Sequence, residues 1–145
     1  MSGRLPVVWH LNSLVFTLNL IFMAEHNELG RRGEAVALRY LKDKAYTILE
    51  SNWRSGHMEI DIIARKHDEL IIAEVKTRRK NSLATLDEVV NKRKQNLLIK
   101  AANSYIGKSN LNLDVRFDIL IVIFSNMSGA RVYHIENAFY PTLRS

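Results

Sequence analysis

A chain of 145 residues, 47% of them hydrophobic and 25% charged, is long enough for one domain with a single core and has the composition of an ordinary globular protein. It contains no cysteine, which excludes disulfides, zinc–thiolate centres and thiol nucleophiles and suits a reducing cytoplasm. The formal net charge of +6 and a pI near 9.7 favour a polyanionic partner, nucleic acid first and an anionic membrane surface second.

Residues 1–22 stand apart from the rest. Leu5 to Phe22 is apolar but interrupted by His10, Asn12, Ser13, Thr17 and Asn19, so it is marginal against the roughly 20 predominantly apolar residues of a spanning helix. Arg4 and the apolar run would suit a signal peptide, yet no small-x-small cleavage site follows Phe22. We read 1–22 as an apolar extension outside the native frame, with Met23 as the natural start and 23–145 as the domain. Export or membrane association is the alternative.

Asn27 is a suitable cap for a first helix, with Glu34, Ala35, Leu38 and Leu41 spaced to bury one face and an end expected near Lys44. Tyr46 to Arg54 reads as a first strand, closed by a Ser55-Gly56 turn. Arg54 suits a phosphate contact or a solvated strand end equally well.

Two strands follow, Gly56 to Arg65 and Leu70 to Lys76, separated by polar Lys66-His67-Asp68-Glu69. If His67-Asp68 is the loop, Lys66 pairs with Glu69, Asp61 falls opposite Glu74, and Glu59 falls opposite Lys76. Side chains alternate with period two, so these four share a face, while Ile60, Ile62, Ala64, Ile71, Ala73 and Val75 form an apolar opposite face. Burial of that face holds the register, because a one-residue slip would put the charges in the core.

Directly opposed residues have Cβ atoms about 4.5–5.5 Å apart, so two carboxylates and a lysine converge on one patch. Asp61 and Glu74 are suited to share a divalent cation, since Mg²⁺ is usually bound by one or two carboxylates plus substrate phosphate. Lys76 would orient or help deprotonate a water beside it, which completes the parts needed for phosphodiester hydrolysis. The plainer reading is a Glu59–Lys76 ion pair beside a solvated Asp61, but facing carboxylates repel and a merely structural hairpin gains nothing from them.

The basic run Lys76-Thr77-Arg78-Arg79-Lys80 leaves the second of these strands, either as a solvated loop or as the place where a phosphate backbone lies. Ser82 to Thr85 has helix-start chemistry, and Asp87 and Glu88 suit the positive end of a helix dipole. Val89, Val90, Leu97, Leu98, Ala101 and Ala102 supply a core face, and Gly107 is a natural stop. Lys92, Arg93, Lys94 and Gln95 then lie mid-helix, as a surface stripe or as substrate contacts. Leu113 to Phe124 reads as a buried central strand and Arg131 to Glu136 as an edge strand, joined by a turn over Asn126 to Ala130. Asp118 is a lone acid near the start of the central strand, suited to support the metal ligands or, more simply, to be hydrogen-bonded or solvated, and Asn137 to Ser145 is a tail with helical character before Pro141.

Glu59-Ile60-Asp61, a short spacer and Glu74-Val75-Lys76-Thr77-Arg78 together resemble the PD-(D/E)XK signature of restriction-endonuclease-like nucleases. With Gly30-Arg31-Arg32-Gly33-Glu34-Ala35 and Asn52-Trp53-Arg54 upstream, residues 23–145 resemble the YraN-type family, a bacterial group similar to archaeal Holliday junction resolvases. Members of that family usually begin just before the Gly-x-x-Gly-Glu element, as Met23 does here. The resemblance implies an α/β fold with a restriction-endonuclease-like core, a mixed central sheet flanked by helices. It implies Mg²⁺ or Mn²⁺ held by Asp61, Glu74 and the Val75 carbonyl, with Glu34 reaching in from the first helix and Lys76 as the catalytic base or orienter. Arg54, Arg78, Arg79, Lys94 and Gln95 are the matching candidates for nucleic-acid contact.

The expected function is hydrolysis of phosphodiester bonds in DNA, branched DNA included, or in RNA, by a cytoplasmic protein without stable membrane association. Resolvases of this type act as homodimers, although no residue pattern here marks a dimer surface. The competing expectation is a non-catalytic nucleic-acid-binding module that keeps the fold. A membrane-associated adaptor built on 1–22 is the third.

Overall fold

The computed structural model describes residues 7–80, 90–125 and 129–141. They form α1 (Val7–Asp43), β1 (Thr47–Ser55), β2 (Met58–Lys66), β3 (Glu69–Arg79), α2 (Lys92–Ser109), β4 (Asp114–Ser125) and β5 (Gly129–Phe139). The chain divides into two compact units, Met1–Arg32 and Gly33–Ser145. In the first unit, Leu14, Val15, Phe16, Leu18, Leu20, Ile21, Phe22 and Met23 are all more than half exposed. Asn27 does not cap a helix start: α1 already runs from Val7, because no glycine or proline separates Val7 from Asn27. No helix among the described residues is long and apolar enough to cross a membrane.

The second unit is built on a five-stranded sheet ordered β1-β2-β3-β4-β5. Every neighbouring pair is antiparallel except β3 and β4, which run parallel. A parallel step needs a long crossover, and the stretch containing α2 supplies it. This is the expected α/β, restriction-endonuclease-like arrangement, a mixed sheet with helical cover on both faces. Under α2, Leu98, Ala101, Ala102 and Tyr105 pack with Ile63, Leu70, Ile72, Phe117, Ile119 and Ile121. Under α1, Ala37 and Leu41 pack with Ile62, Ala64, Ile71, Ala73, Leu120 and Val122. Burial on both sides explains why the middle of β4 reads as an unbroken apolar run.

The β2–β3 hairpin has the expected register. Lys66 pairs with Glu69, His67 takes up the left-handed turn conformation at φ +53, and pairing continues to Ile62 and Ala73. There the paired ladder stops. Ile60, expected on the face of Ile62, packs instead in the core under α2. The strand therefore changes phase at Asp61, whose carboxylate takes the Val75 N–H directly. Asn52 of β1, between the pairs Ser51–Ile62 and Trp53–Ile60, bends to φ +52 at the same level. The switch is tolerated because both faces are apolar, so either placement of an isoleucine is buried.

Helix ends differ from expectation where a capping residue outweighs a glycine. Asn91 caps α2 by accepting the Lys94 N–H at 3.0 Å, so Lys92, Arg93, Lys94 and Gln95 form its first turn rather than its middle. Gly107 lies inside α2, and the stop is Asn110 at φ 54, whose N–H reaches the Ile106 carbonyl. Leu97 is 43% exposed and does not join the core. The expected helix start at Ser82 to Thr85, together with Asp87, Glu88 and Val89, lies outside the described residues, as do Asn126 to Ser128 of the last turn. Asn137 to Phe139 continues β5 instead of forming a helical tail, with Phe139 stacked on Phe117 at 4.9 Å between ring centres.

Candidate active site

Period two along β3 sends Glu74 and Lys76 to the same face, under α2. Glu74 is 3% exposed, and its Oε1 accepts from Lys76 Nζ at 2.8 Å. Lys94 Nζ, from the first turn of α2, stands 3.1 Å from the same oxygen. Asp61 joins from β2: its Oδ2 accepts the Val75 N–H at 2.7 Å, where the ladder would otherwise have continued. Glu34 is half-buried on α1. The structure thus brings Asp61, Glu74, Val75 and Lys76 together and adds Lys94. It does not pair Glu59 with Lys76, because Glu59 faces β1 and meets Arg54 at 3.6 Å.

The electrostatics follow from burial. Desolvation pushes the Asp61 carboxyl up to about 7, reinforced by the charge of Glu74 and, more weakly, of Glu34, while the Val75 N–H and Lys94 pull the other way. The second oxygen of Glu74, Oε2, is buried without a hydrogen-bond partner. A buried carboxylate oxygen left in that state is costly unless a cation or an ordered water meets it. Two neighbouring carboxylates with one unsatisfied oxygen fit a hard divalent cation. Among the described residues no group of three or more His, Cys, Asp or Glu side chains is placed to hold a metal. A cation here would therefore have two carboxylates and backbone as its protein ligands, with Glu34 acting through its charge.

Gly33 explains how α1 comes so near. A Cβ at Gly33 would lie 1.8 Å from Thr77 Oγ1 and 2.9 Å from Thr77 Cβ, so only a glycine admits this approach beside Lys76. The remaining candidates are spread out. Arg54 is exposed and paired with Glu59, Arg78 donates to the Thr77 carbonyl at 3.0 Å, and Arg79 is exposed. Gln95 turns its amide back to the Val90 carbonyl at 3.1 Å, inside the helix start. Trp53 packs edge-on against Tyr105, as a core residue.

Sequence reasoning missed a second buried polar cluster on the α1 side of the sheet. Asp118 is fully buried and accepts two bonds from Arg116, both at 2.9 Å, one from the Asn137 N–H at 3.0 Å, and a contact with His134 Nε2 at 2.8 Å. Arg116 also reaches Glu69 at 2.6 Å and the Tyr46 hydroxyl at 3.0 Å, and that hydroxyl in turn meets Glu136. Burial pushes Asp118 up, but His134, Arg116 and the Asn137 N–H outweigh it and hold the carboxyl below its ordinary value. Burial also drives the Tyr46 phenol to about 12. The signal for this cluster was the Arg116-x-Asp118 spacing, which puts an ion pair on one face of a strand otherwise apolar at its centre.

The chain matches the model of a family described as uncharacterised protein family UPF0102 over residues 33–122. A UPF0102 protein of Bacteroides thetaiotaomicron is 46% identical over 121 residues, which is 83% of this chain and 99% of the relative. UPF0102 proteins of Christiangramia forsetii and Porphyromonas gingivalis are 44% and 42% identical over 118 residues, 81% of this chain in both cases and 98% and 87% of the relatives.

Proposed function

From the premise that the chain belongs to the uncharacterised protein family UPF0102, we propose that it is a metal-dependent nuclease acting on phosphodiester bonds in DNA, branched DNA included, or in RNA. The observation that carries this reading is the carboxylate pair, buried Glu74 with its Oε2 lacking a protein partner and half-buried Asp61 driven to about 7 beside it. Asp61, Glu74 and the Val75 carbonyl would hold Mg²⁺ or Mn²⁺, which lowers the pKa of bound water and neutralises charge building on the phosphate. Lys76, held as an ammonium by Glu74, orients the attacking water and stabilises the negative charge that forms as the water's proton leaves to solvent. Lys94 neutralises Glu74 from the other side, and the basic residues that follow Lys76 hold the backbone.

One observation favours a second reading. Glu74 Oε1 already has two ammonium groups, from Lys76 and Lys94, so half of this carboxylate is satisfied without a metal. That is what a non-catalytic nucleic-acid-binding module on the same fold would need.

The test uses the full chain beside a Glu74→Gln variant, with labelled single-stranded, duplex, flap and four-way-junction DNA, and RNA, in Mg²⁺, Mn²⁺ or EDTA. Cleavage by the parent is expected, abolished by EDTA and reduced at least about a hundredfold in the variant. Equal binding by both without cleavage in any metal would retire the nuclease reading in favour of the module.

A further inference from the structure

Beyond the carboxylates, the same sheet face continues into a groove that shares only Lys80, the end of the basic run, with the phosphate contacts proposed above. In the paired rows Lys76 lies beside Ile121 and Ile121 beside Tyr133, while Arg78 lies beside Ile123 and Ile123 beside Arg131. Residues paired across a ladder share a face, so Tyr133 and Arg131 look out on the side that carries Glu74 and Lys76. Two strand spacings separate Lys76 from Tyr133, about 10 Å, a distance that one continuous strand can bridge.

The groove there has a volume of about 510 Å³, and Lys80, Ile123, Ser125, Ala130, Arg131 and Tyr133 line it, with Gly129. This is the size of a small-ligand site. Tyr133 is 47% exposed, and its hydroxyl is 3.5 Å from Arg131 Nη1. Two cations, Lys80 and Arg131, border it, and no carboxylate does among the described lining residues.

An exposed aromatic ring flanked by two cations over an apolar floor matches a base with its phosphate better than it matches a phosphate alone. In a paired duplex the flat face of a base is covered by its neighbours. We propose that this groove is a nucleotide subsite that takes an unpaired base of a single strand, stacked on Tyr133, with the adjoining phosphate held by Lys80 and Arg131. This rests on the reading of nucleic acid as the substrate and deepens it. The strand that reaches the carboxylates is one with an unpaired segment close to the bond that is cut.

The test measures binding in EDTA, so that cleavage plays no part. Full chain is titrated into a single-stranded oligonucleotide carrying 2-aminopurine, the same oligonucleotide in a matched blunt duplex, and free nucleoside monophosphate. Single strand is expected to bind about tenfold or more tightly than matched duplex, with quenching of the 2-aminopurine. Tyr133→Ala should remove most of that preference and the quenching, Tyr133→Phe should keep both, and Arg131→Ala should flatten the salt dependence. A duplex bound as tightly as the single strand, or a Tyr133→Ala variant that behaves like the parent, would overturn the proposal. So would a free mononucleotide bound as tightly as the oligonucleotide, since no strand would then be needed. The two readings fail separately: stacking lost on Tyr133→Ala in a chain that never cleaves leaves the groove and removes the nuclease. Metal-dependent cleavage without preference for unpaired bases does the reverse.

Discussion

Asp61 and Asp118 are both carboxylates drawn away from solvent, and they carry opposite consequences for pH. The folded value of Asp61, about 7, lies above its ordinary 3.8, so the folded state holds a proton that the unfolded chain gives up. That contribution is fully present below about pH 4 and is lost as pH rises through 7. A cation at Asp61 must displace the same proton, so apparent Mn²⁺ affinity should fall by up to about tenfold per unit below pH 7. Calorimetric titration between pH 5.5 and 8 checks this, and an affinity independent of pH would separate Asp61 from the cation. Asp118 lies below its ordinary value, so its contribution is fully present above pH 4 and is lost only as pH falls through the folded value. Asp118→Asn leaves Arg116 and His134 facing no charge at that position and should cost about 3–5 kcal/mol at pH 7 by urea denaturation. A loss under about 1 kcal/mol would mean that Glu69 and Glu136 support Arg116 by themselves.

At the level of elements, close approach and helix ends decide the geometry. Gly33→Ala puts a methyl group against both the hydroxyl and the Cβ of Thr77, so rotation of the threonine alone cannot relieve the clash. The expected result is a destabilisation of about 1–3 kcal/mol together with loss of the proposed cleavage, as α1 is pushed away from Lys76. Retained activity would show that Glu34 need not stand so near. The C-terminus of α1 carries an opposite opportunity. Ala45 sits at φ +63 while the Tyr46 N–H reaches Leu41 and the Ala45 N–H reaches Lys42, a pairing that normally ends on glycine. Ala45→Gly should raise stability by about 0.5–1 kcal/mol, read from the thermal midpoint, because glycine adopts that conformation without strain. These ends also mark what was legible. The alternation along β2 and β3 and the turn at His67-Asp68 gave register and site together, since a slip would have buried charge. The phase change at Asp61 was not legible, because isoleucines on both sides of it make either face look like the core. The start of α2 was obscured by acidic residues upstream that suggested an earlier cap than Asn91.

For the whole molecule, the order of elements in residues 33–145 followed from alternating helical and strand-like periods, and the covered sheet from the apolar run in β4. The restriction-endonuclease-like architecture came from the resemblance carried by Glu59-Ile60-Asp61 and Glu74-Val75-Lys76, not from periodicity. The Arg116–Asp118–His134 cluster joins two strands and a bulge at Asn137 that no local pattern connects. The single parallel step in the sheet has a further consequence, for the order of assembly. β1, β2 and β3 meet through short turns, whereas β4 must wait for the crossover that contains α2, and the entropy of that longer closure comes before its contacts reward it. Ile71→Val should therefore mainly slow folding and Val122→Ala mainly speed unfolding, in stopped-flow kinetics against urea. The reverse pattern would mean that β4 docks early. In the expected order the acidic half of the site, Asp61 and Glu74, is in place before Lys94 arrives to neutralise it. The folding chain passes through a moment at which its carboxylates are joined and one of their two cations is still absent.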